Sequence, residues 1–93
     1  MKIVFLDTAV PDIQWFRFYY RSVFPDGSAK ARAQLQAMQA LLAANPYAGH
    51  PCDTGQPVRE LAIPRTPFTL IYRVTDHRIE ILRLWDGRQG GSY

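Results

Sequence analysis

Residues 58–89 read VRELAIPRTPFTLIYRVTDHRIEILRLWDGRQ, and this stretch decides the fold. It has the pattern of three short strands joined by two tight connections. The first connection, residues 64–67, begins and ends with proline, and the second is the dipeptide Asp76-His77, which predicts a two-residue turn between strands 68–75 and 78–86. The last third of the chain is therefore predicted to form an antiparallel sheet.

The predicted turn fixes which residues of the two longer strands share a face of the sheet. Partners on antiparallel strands point to the same side. The predicted pairs are Thr75 with Arg78, Arg73 with Glu80, Ile71 with Leu82 and Thr69 with Leu84, and Asp86 continues their face. Glu60 of the first strand is predicted to join this face, which is then available for binding.

The opposite face of the sheet carries more apolar side chains and is predicted to cover the core. Its members are Leu61, Ile63, Phe68, Leu70, Tyr72, Val74, Ile79, Ile81 and Trp85. Arg83 is the polar exception on that face. A slip of one residue in the register would exchange the two faces, so this assignment depends on the turn.

Two helices are predicted before the sheet. In the first, apolar residues recur at helical spacing, while Arg17 and Arg21 lie on the wetter side. Its apolar stripe is Ile13, Phe16, Tyr20 and Val23 or Phe24. Pro-Asp-Gly at residues 25–27 ends this helix, and Ser28 is the predicted N-cap of a second helix over residues 29–44. The second stripe is Ala31, Leu35, Met38 and Leu42.

The order of these elements predicts an α+β fold. A β-rich run at residues 2–6 precedes the helices, and residues 47–57, rich in Pro, Gly, Asp and Thr, are predicted to be a surface loop. The expected architecture is an N-terminal strand and an antiparallel helix hairpin packed on a small, mainly antiparallel sheet. A chain of 93 residues has room for one core, so we expect a single domain over residues 1–93.

Charge and cysteine content narrow the classes of function. The net charge is +3, and all of the eleven basic residues except Lys2 and Lys30 are arginine, which suits carboxylate and phosphate partners. The charge is spread along the chain, so a nucleic-acid patch is weakly supported. The single cysteine, Cys52, cannot form an internal disulfide, and with two distant histidines it makes no metal site. We expect no metal and no cofactor.

The same composition bears on the compartment. A lone cysteine fits a reducing cytoplasm. The apolar run in residues 1–7 is too brief for a signal peptide or a membrane span, and we expect no membrane partner.

Charged residues of the predicted sheet supply candidate sites, each with a structural alternative. Arg73 opposite Glu80 is either a substrate clamp or a cross-strand ion pair, and their separation by a turn favours the ion pair. Glu60 and Asp86 on one face form a candidate general acid and base, but strand carboxylates are usually solvated and no histidine supports them. Catalysis is therefore the weaker interpretation of these residues.

Four further arginines and a tryptophan complete the candidates. Arg59, Arg65, Arg83 and Arg88 either flank a binding surface for an acidic partner or are ordinary exposed charges, and Arg83 is favoured by its apolar neighbours. Trp85 is either a core residue or a contact residue.

The order of these residues resembles the RelE/ParE family of bacterial toxins over nearly the entire chain. The local similarities are Arg59-Glu60-Leu61, residues 68–74 ending in Tyr-Arg-Val, and residues 79–83, Ile-Glu-Ile-Leu-Arg, followed by residues 85–89, Trp-Asp-Gly-Arg-Gln. The resemblance implies a RelE/ParE-like fold and the toxin of a two-gene type II toxin–antitoxin module. It also implies an antitoxin partner that wraps around the toxin, and it leaves self-association open. Edge strands and an uncovered apolar stripe suggest that the antitoxin adds a strand or a helix.

Two activities are known in that family: ribosome-dependent cleavage of messenger RNA by the RelE type, and poisoning of DNA gyrase by the ParE type. Nuclease members commonly carry an arginine where this chain has Thr69 and a histidine or other basic group where it has Asp86. Cleavage through the 2′-hydroxyl needs a base, a cation and an acid, whereas a face with Thr69, Glu60 and Asp86 would repel the phosphate. The ParE-like branch, a noncatalytic gyrase inhibitor, is therefore favoured.

The resemblance sorts the candidate residues by activity. The candidates for target or antitoxin binding are Arg59, Arg65, Arg73, Arg83, Trp85 and Arg88. The candidates for the alternative, a nuclease acting on messenger RNA at the ribosome, are Glu60, Arg73, Asp86 and Tyr93, since many such nucleases use a tyrosine close to the C-terminus. An inactive member that only binds antitoxin is the third interpretation.

Overall fold

The fold is described from a computed structural model of residues 1–52 and 57–89. The strands are β1 (Lys2–Phe5), β2 (His50–Pro51), β3 (Arg59–Ala62), β4 (Phe68–Val74) and β5 (Arg78–Asp86), and the helices are α1 (Val10–Phe18) and α2 (Ser28–Ala44). The strands form one sheet in the order β1-β5-β4-β3-β2, in which β1 runs parallel to β5 and the other pairs are antiparallel. The predicted α+β architecture is confirmed.

Alternate residues of β4 form the centre of the core. Phe68, Leu70 and Tyr72 have no exposed surface. They share one face because side chains alternate along a strand, and that face is covered by the helices. Phe16 of α1 meets Phe68 edge-on, with 5.0 Å between the ring centroids. The remaining buried members of the core are Tyr20, Ala31, Leu42, Ile63, Ile79, Ile81 and Leu84.

The pairing of β4 with β5 follows the prediction at one end only. Arg73 lies opposite Glu80, as predicted, but the register shifts between Ile71 and Tyr72. Beyond that point Ile71 faces Arg83 instead of Leu82, and Thr69 faces Trp85 instead of Leu84. This β-bulge inserts one residue into β5, and a one-residue shift moves every later side chain to the other face.

The bulge reverses the predicted faces for the second half of β5. Leu84 and Asp86 lie on the face that the helices cover. Arg83 and Trp85 lie on the opposite face of the sheet, which we call the open face. The physical reason is the spacing of apolar residues. Ile81 and Leu84 are both buried although they are three positions apart, which a regular strand with alternating side chains does not permit.

Thr8 and, in the first turn of α1, Asp12 cover the edge of β5 where β1 ends. The Asp12 carboxylate accepts hydrogen bonds from the backbone N–H of Leu84 at 3.0 Å and from Arg83 at 2.6 and 2.9 Å. The Thr8 hydroxyl donates to the carbonyl of Leu82 at 2.7 Å. These contacts satisfy backbone groups next to the bulge that the parallel partner strand does not reach.

The first helix departs from its predicted stripe at its C-terminal end. After Phe18 the chain makes a π-helical turn over Tyr19–Val23, in which the N–H of Phe24 donates to the carbonyl of Tyr19. The extra residue in this turn rotates the following side chains by about 100°. Val23 and Phe24, predicted to be core residues, are therefore 55% and 50% exposed.

The second helix agrees with its predicted stripe but not with its predicted cap. Ala31 and Leu42 are buried, and Leu35 and Met38 pack against the core from partly buried positions. The N-cap position is occupied by Gly27 instead of Ser28, and no side chain caps the helix. A 3₁₀ turn over Pro25–Gly27 leads directly into α2, so Ser28 already lies in its first turn. Neither helix combines the length and hydropathy that a span of the membrane requires.

The predicted surface loop at residues 47–57 contains a short strand that the sequence did not indicate. Strand β2 pairs with β3 through His50 opposite Glu60. Gly49 precedes it in a crowded position, where its N–H donates to the buried hydroxyl of Tyr72 at 2.9 Å. A Cβ atom on Gly49 would lie 2.5 Å from the carbonyl oxygen of Glu60 and 2.7 Å from that hydroxyl oxygen. Only glycine fits this approach without displacing the sheet.

We expect Gly49→Ala to lower the free energy of unfolding by about 1–3 kcal/mol, because the added methyl group must displace backbone or the buried Tyr72 ring. The measurement is urea denaturation. The matched control is Gly87→Ala, since a Cβ there would stand 3.4 Å from the nearest atom, an ordinary contact. Equal losses in the two variants would contradict the packing argument.

Candidate functional site

Glu80 organises the open face of the sheet between two arginines. Its carboxylate accepts from Arg73 Nε at 2.6 Å and from Arg78 Nε at 2.8 Å, and the Arg78 Nη2 contact is 2.5 Å. The hydrogen bond from Arg73, and to a smaller extent that from Arg78, lowers the pKa of Glu80 below its usual value. The predicted cross-strand ion pair is confirmed, and the Arg73 guanidinium is engaged by a carboxylate of its own chain.

Arg83 and Trp85 are adjacent on the same open face. The Arg83 guanidinium carbon lies 5.0 Å from the centroid of the Trp85 ring, a cation–π contact. The same guanidinium reaches past the edge of β5 to the carboxylate of Asp12 on α1. Two of the predicted candidates, Arg83 and Trp85, are therefore in contact, and Arg83 also links the first turn of α1 to the sheet.

Asp86 lies on the other face, in a buried polar network under α1. It accepts hydrogen bonds from the indole Nε1 of Trp15 at 2.9 Å and from Arg88 through Nε, Nη2 and the backbone N–H, at 3.1, 2.9 and 3.0 Å. Asp86 is 3% exposed. The hydrogen bond from Arg88 is the largest cause that lowers the pKa of Asp86 to about 2, and in return the pKa of Arg88 is raised.

Arg88 extends this network to the surface of α1. Its Nη1 donates to the Tyr19 hydroxyl at 2.9 Å, and its guanidinium carbon lies 4.3 Å from the centroid of the Tyr19 ring. Trp15 and Tyr19 were not predicted to be partners of Asp86 and Arg88. The available signal was their spacing of four residues, which places both on the same side of α1.

The prediction that Glu60 and Asp86 share one face is wrong because of the bulge. Glu60 lies opposite Ile71 on the open face, whereas Asp86 lies opposite Phe68 on the face under the helices. Near Glu60 the structure places the thiol of Cys52, with 3.8 Å between Sγ and Oε2. The last nuclease candidate, Tyr93, lies outside the described residues.

The remaining two arginine candidates stand near opposite ends of β3. Arg59 donates to the carbonyls of Gly49 at 2.8 Å and Tyr47 at 3.4 Å, and it covers the Tyr47 ring. Arg65 is exposed in the turn between β3 and β4, with a φ of 64°. The six predicted contact residues therefore do not form one continuous surface.

A cleft between α1, α2 and the sheet was not predicted from the sequence. Its volume is about 930 Å³, its floor includes Phe16 and Leu84, and its rim carries Arg17, Arg21 and Arg32. Within residues 1–52 and 57–89, none of these three arginines forms an ion pair with a carboxylate. We call this feature the arginine cleft. The only sequence signal was the pair Arg17 and Arg21, one helical turn apart on the side of α1 that was predicted to be wet.

The described residues offer no cluster of three His, Cys, Asp or Glu side chains that could hold a metal ion.

Comparisons with known proteins give a consistent assignment. The family model described as ParE toxin of type II toxin-antitoxin system, parDE, matches residues 3–90. A solved structure titled "Chromosomal ParDE TA system from P. aeruginosa" is similar at a TM-score of 0.69 and 29% sequence identity, covering 90% of this chain and 92% of that chain. No curated protein sequence matches.

The buried network predicts a pH-dependent loss of stability on Asp86→Asn. At pH 7 the free energy of unfolding of the variant should be about 2 kcal/mol lower than that of wild type, because the folded-state pKa of Asp86, about 2, lies below the ordinary value of 3.8. A depressed pKa stabilises the fold above the unfolded pKa, and this contribution is lost as the pH falls through the folded pKa. The two proteins should therefore converge between about pH 4 and pH 2.

Urea denaturation over a pH series measures this difference. Asp76→Asn, in the exposed turn between β4 and β5, is the control and should change stability little at any pH. A constant difference between Asp86→Asn and wild type down to pH 2 would show that the effect of the variant is steric and not electrostatic.

Proposed function

The chain belongs to the ParE toxin family of type II toxin–antitoxin systems, and on that premise we propose that it binds and inhibits DNA gyrase in the cytoplasm and is neutralised by a cognate antitoxin. The proposal gives the toxin no catalytic step of its own. The alternative within the wider family is cleavage of messenger RNA at the ribosome.

The position of Asp86 is the observation that favours gyrase inhibition over RNA cleavage. A nuclease must place a base, a cation and an acid around one phosphate. Asp86 is bonded to Trp15 and Arg88 under α1, on the face opposite to Glu60, and its low pKa keeps it ionised at neutral pH. Arg73 on the open face is occupied by Glu80. This arrangement supports a toxin that acts by binding.

The arginine cleft supports the second half of the proposal, neutralisation by an antitoxin. Three arginines without ion-pair partners among the described residues stand around an apolar floor. Such a cleft is complementary to an amphipathic segment that carries acidic side chains beside an apolar stripe. We therefore assign the cleft to the antitoxin, which gains affinity both from burial of apolar surface and from the uncompensated positive charge.

Gyrase supercoiling with the purified toxin tests the proposed activity. We expect the toxin to abolish supercoiling and the cognate antitoxin to restore it, while a translation extract programmed with a defined messenger shows no new cleavage ends. Cut messenger together with normal supercoiling would overturn the proposal in favour of the nuclease. Neither effect at saturating toxin would indicate an inactive member that only binds antitoxin.

The assignment of the cleft predicts a charge effect on antitoxin binding. In the double variant Arg17→Glu, Arg32→Glu, the antitoxin should bind at least about tenfold more weakly, because two attractive contacts become repulsive. Isothermal titration calorimetry at two salt concentrations measures this loss. The control is the double variant Lys2→Glu, Lys30→Glu, which reverses the same number of charges at exposed residues that do not line the cleft. Equal weakening by the control would indicate only a long-range effect of net charge.

A further inference from the structure

Beside the arginine cleft, α1 and the π-helical turn that follows it carry a second surface, which we call the α1 aromatic patch: Trp15, Phe18 and Tyr19, flanked by Arg21 and Arg88. We propose that this patch is the surface through which the toxin contacts its protein target, separately from the cleft that takes the antitoxin. The inference rests on the proposed function and adds to it the location and chemistry of the target contact.

The exposure of Phe18 is the first observation. Phe18 is 42% exposed, although it is the last residue of α1, a helix that packs against the core through Phe16. The Phe18 ring stacks on Trp15 with 5.6 Å between centroids at 25°, and Trp15 in turn lies 6.1 Å from Tyr19. The rings are therefore contiguous, unlike the isolated apolar residues that are common on protein surfaces. Trp, Tyr and Arg are also the residues most enriched at the energetic centres of protein interfaces.

The rigidity of the patch is the second observation. The Trp15 indole is held by Asp86 at 2.9 Å, and the Tyr19 hydroxyl is held by Arg88 at 2.9 Å. Asp86 fixes Arg88 through both its side chain and its backbone N–H. The rings are thus held in place before any partner arrives, so little side-chain entropy remains to be lost on binding. In this sense Asp86 is a positioning residue for the patch.

The charge of the patch identifies the kind of partner. Arg21 lies 5.9 Å from the Phe18 ring and Arg88 lies 4.3 Å from the Tyr19 ring, so one cation stands at each end of the aromatic surface. Arg88 is compensated by Asp86. A nucleic acid needs several uncompensated cations along its phosphates. The patch instead fits a protein surface with an apolar centre and a carboxylate at its rim facing Arg21.

The aromatic patch and the arginine cleft meet only at Arg21. Trp15, Phe18, Tyr19 and Arg88 take no part in lining the arginine cleft, and Arg21 is the residue that borders both features. Target contact and antitoxin contact can therefore be weakened independently by substitution. This independence provides the test.

The experiment compares Phe18→Ala with Phe24→Ala, a matched control at another half-exposed phenylalanine that belongs to neither surface. Three quantities are measured for the full-length chain: affinity for purified gyrase, affinity for the cognate antitoxin, and the expression level that arrests growth. Phe18→Ala should bind gyrase at least about tenfold more weakly and require correspondingly more toxin for arrest, with antitoxin affinity unchanged. Phe24→Ala should match wild type throughout.

Several outcomes would overturn the inference. If Phe18→Ala keeps the gyrase affinity and the toxicity of wild type, the patch does not contact the target. The inference also fails if Phe18→Ala loses as much affinity for the antitoxin as for gyrase. If wild type binds duplex DNA and Phe18→Ala does not, the patch is a nucleic-acid surface. If light scattering shows that wild type is a dimer and Phe18→Ala a monomer, the patch is a contact between copies. Thermal melting checks that the variant is folded, and Phe18→Gln, which keeps helix propensity, is the second variant.

Failure of the proposed function is distinguishable from failure of this inference. Absence of gyrase binding by the wild-type toxin rejects gyrase as the target. The growth assay then still tests the patch, because it does not depend on the identity of the target. Undiminished toxicity of Phe18→Ala overturns the inference, and lost toxicity with intact antitoxin binding supports it for a different protein target.

Discussion

The β-bulge in β5, a single extra residue, determines which charged side chains lie on each face of the sheet. Ile81 and Leu84 both enter the core, and the bulge between them is the constraint that makes this possible. Because of it, Asp86 points under α1 and becomes the acceptor for Trp15 and Arg88, while Arg83 emerges on the open face and reaches Asp12. The Arg83–Asp12 ion pair and the Trp15–Asp86 hydrogen bond both attach α1 to the sheet, and both depend on this local change of register.

The sequence was sufficient for most features that depend on local pattern, although the N-cap of α2 is Gly27 and not the predicted Ser28. The turn dipeptide placed Arg73 opposite Glu80, and the spacing of Phe16, Tyr20, Ala31 and Leu42 identified core residues of both helices. The bulge and the π-helical turn after Phe18 were not predictable in this way. Each inserts a residue to satisfy packing between elements that are distant in the chain, and each exchanges buried and exposed positions downstream, as for Asp86 and Phe24.

The candidate site was harder to predict than the fold, because arginines look alike in a sequence and differ only in their partners. Arg73, Arg83 and Arg88 were chosen as contacts, and each proved to hold a carboxylate of its own chain. Arg17 and Arg32, which were not chosen, have no such carboxylate within the described residues and rim the cleft. Among the described residues, the arginines without a carboxylate partner therefore lie on the helices and the π-helical turn, and, as Arg59 and Arg65, near the two ends of β3.

The parallel pairing of β1 with β5 makes the earliest and latest strands of the described chain direct neighbours. Contacts between residues so far apart in sequence form late, since the intervening chain must be ordered before they can be made. A nascent chain that has not yet released β5 from the ribosome has neither the Asp86 support for Trp15 nor the central partner of β1. The sheet, and with it the surface that the sheet supports, is thus complete only after β5 has been made.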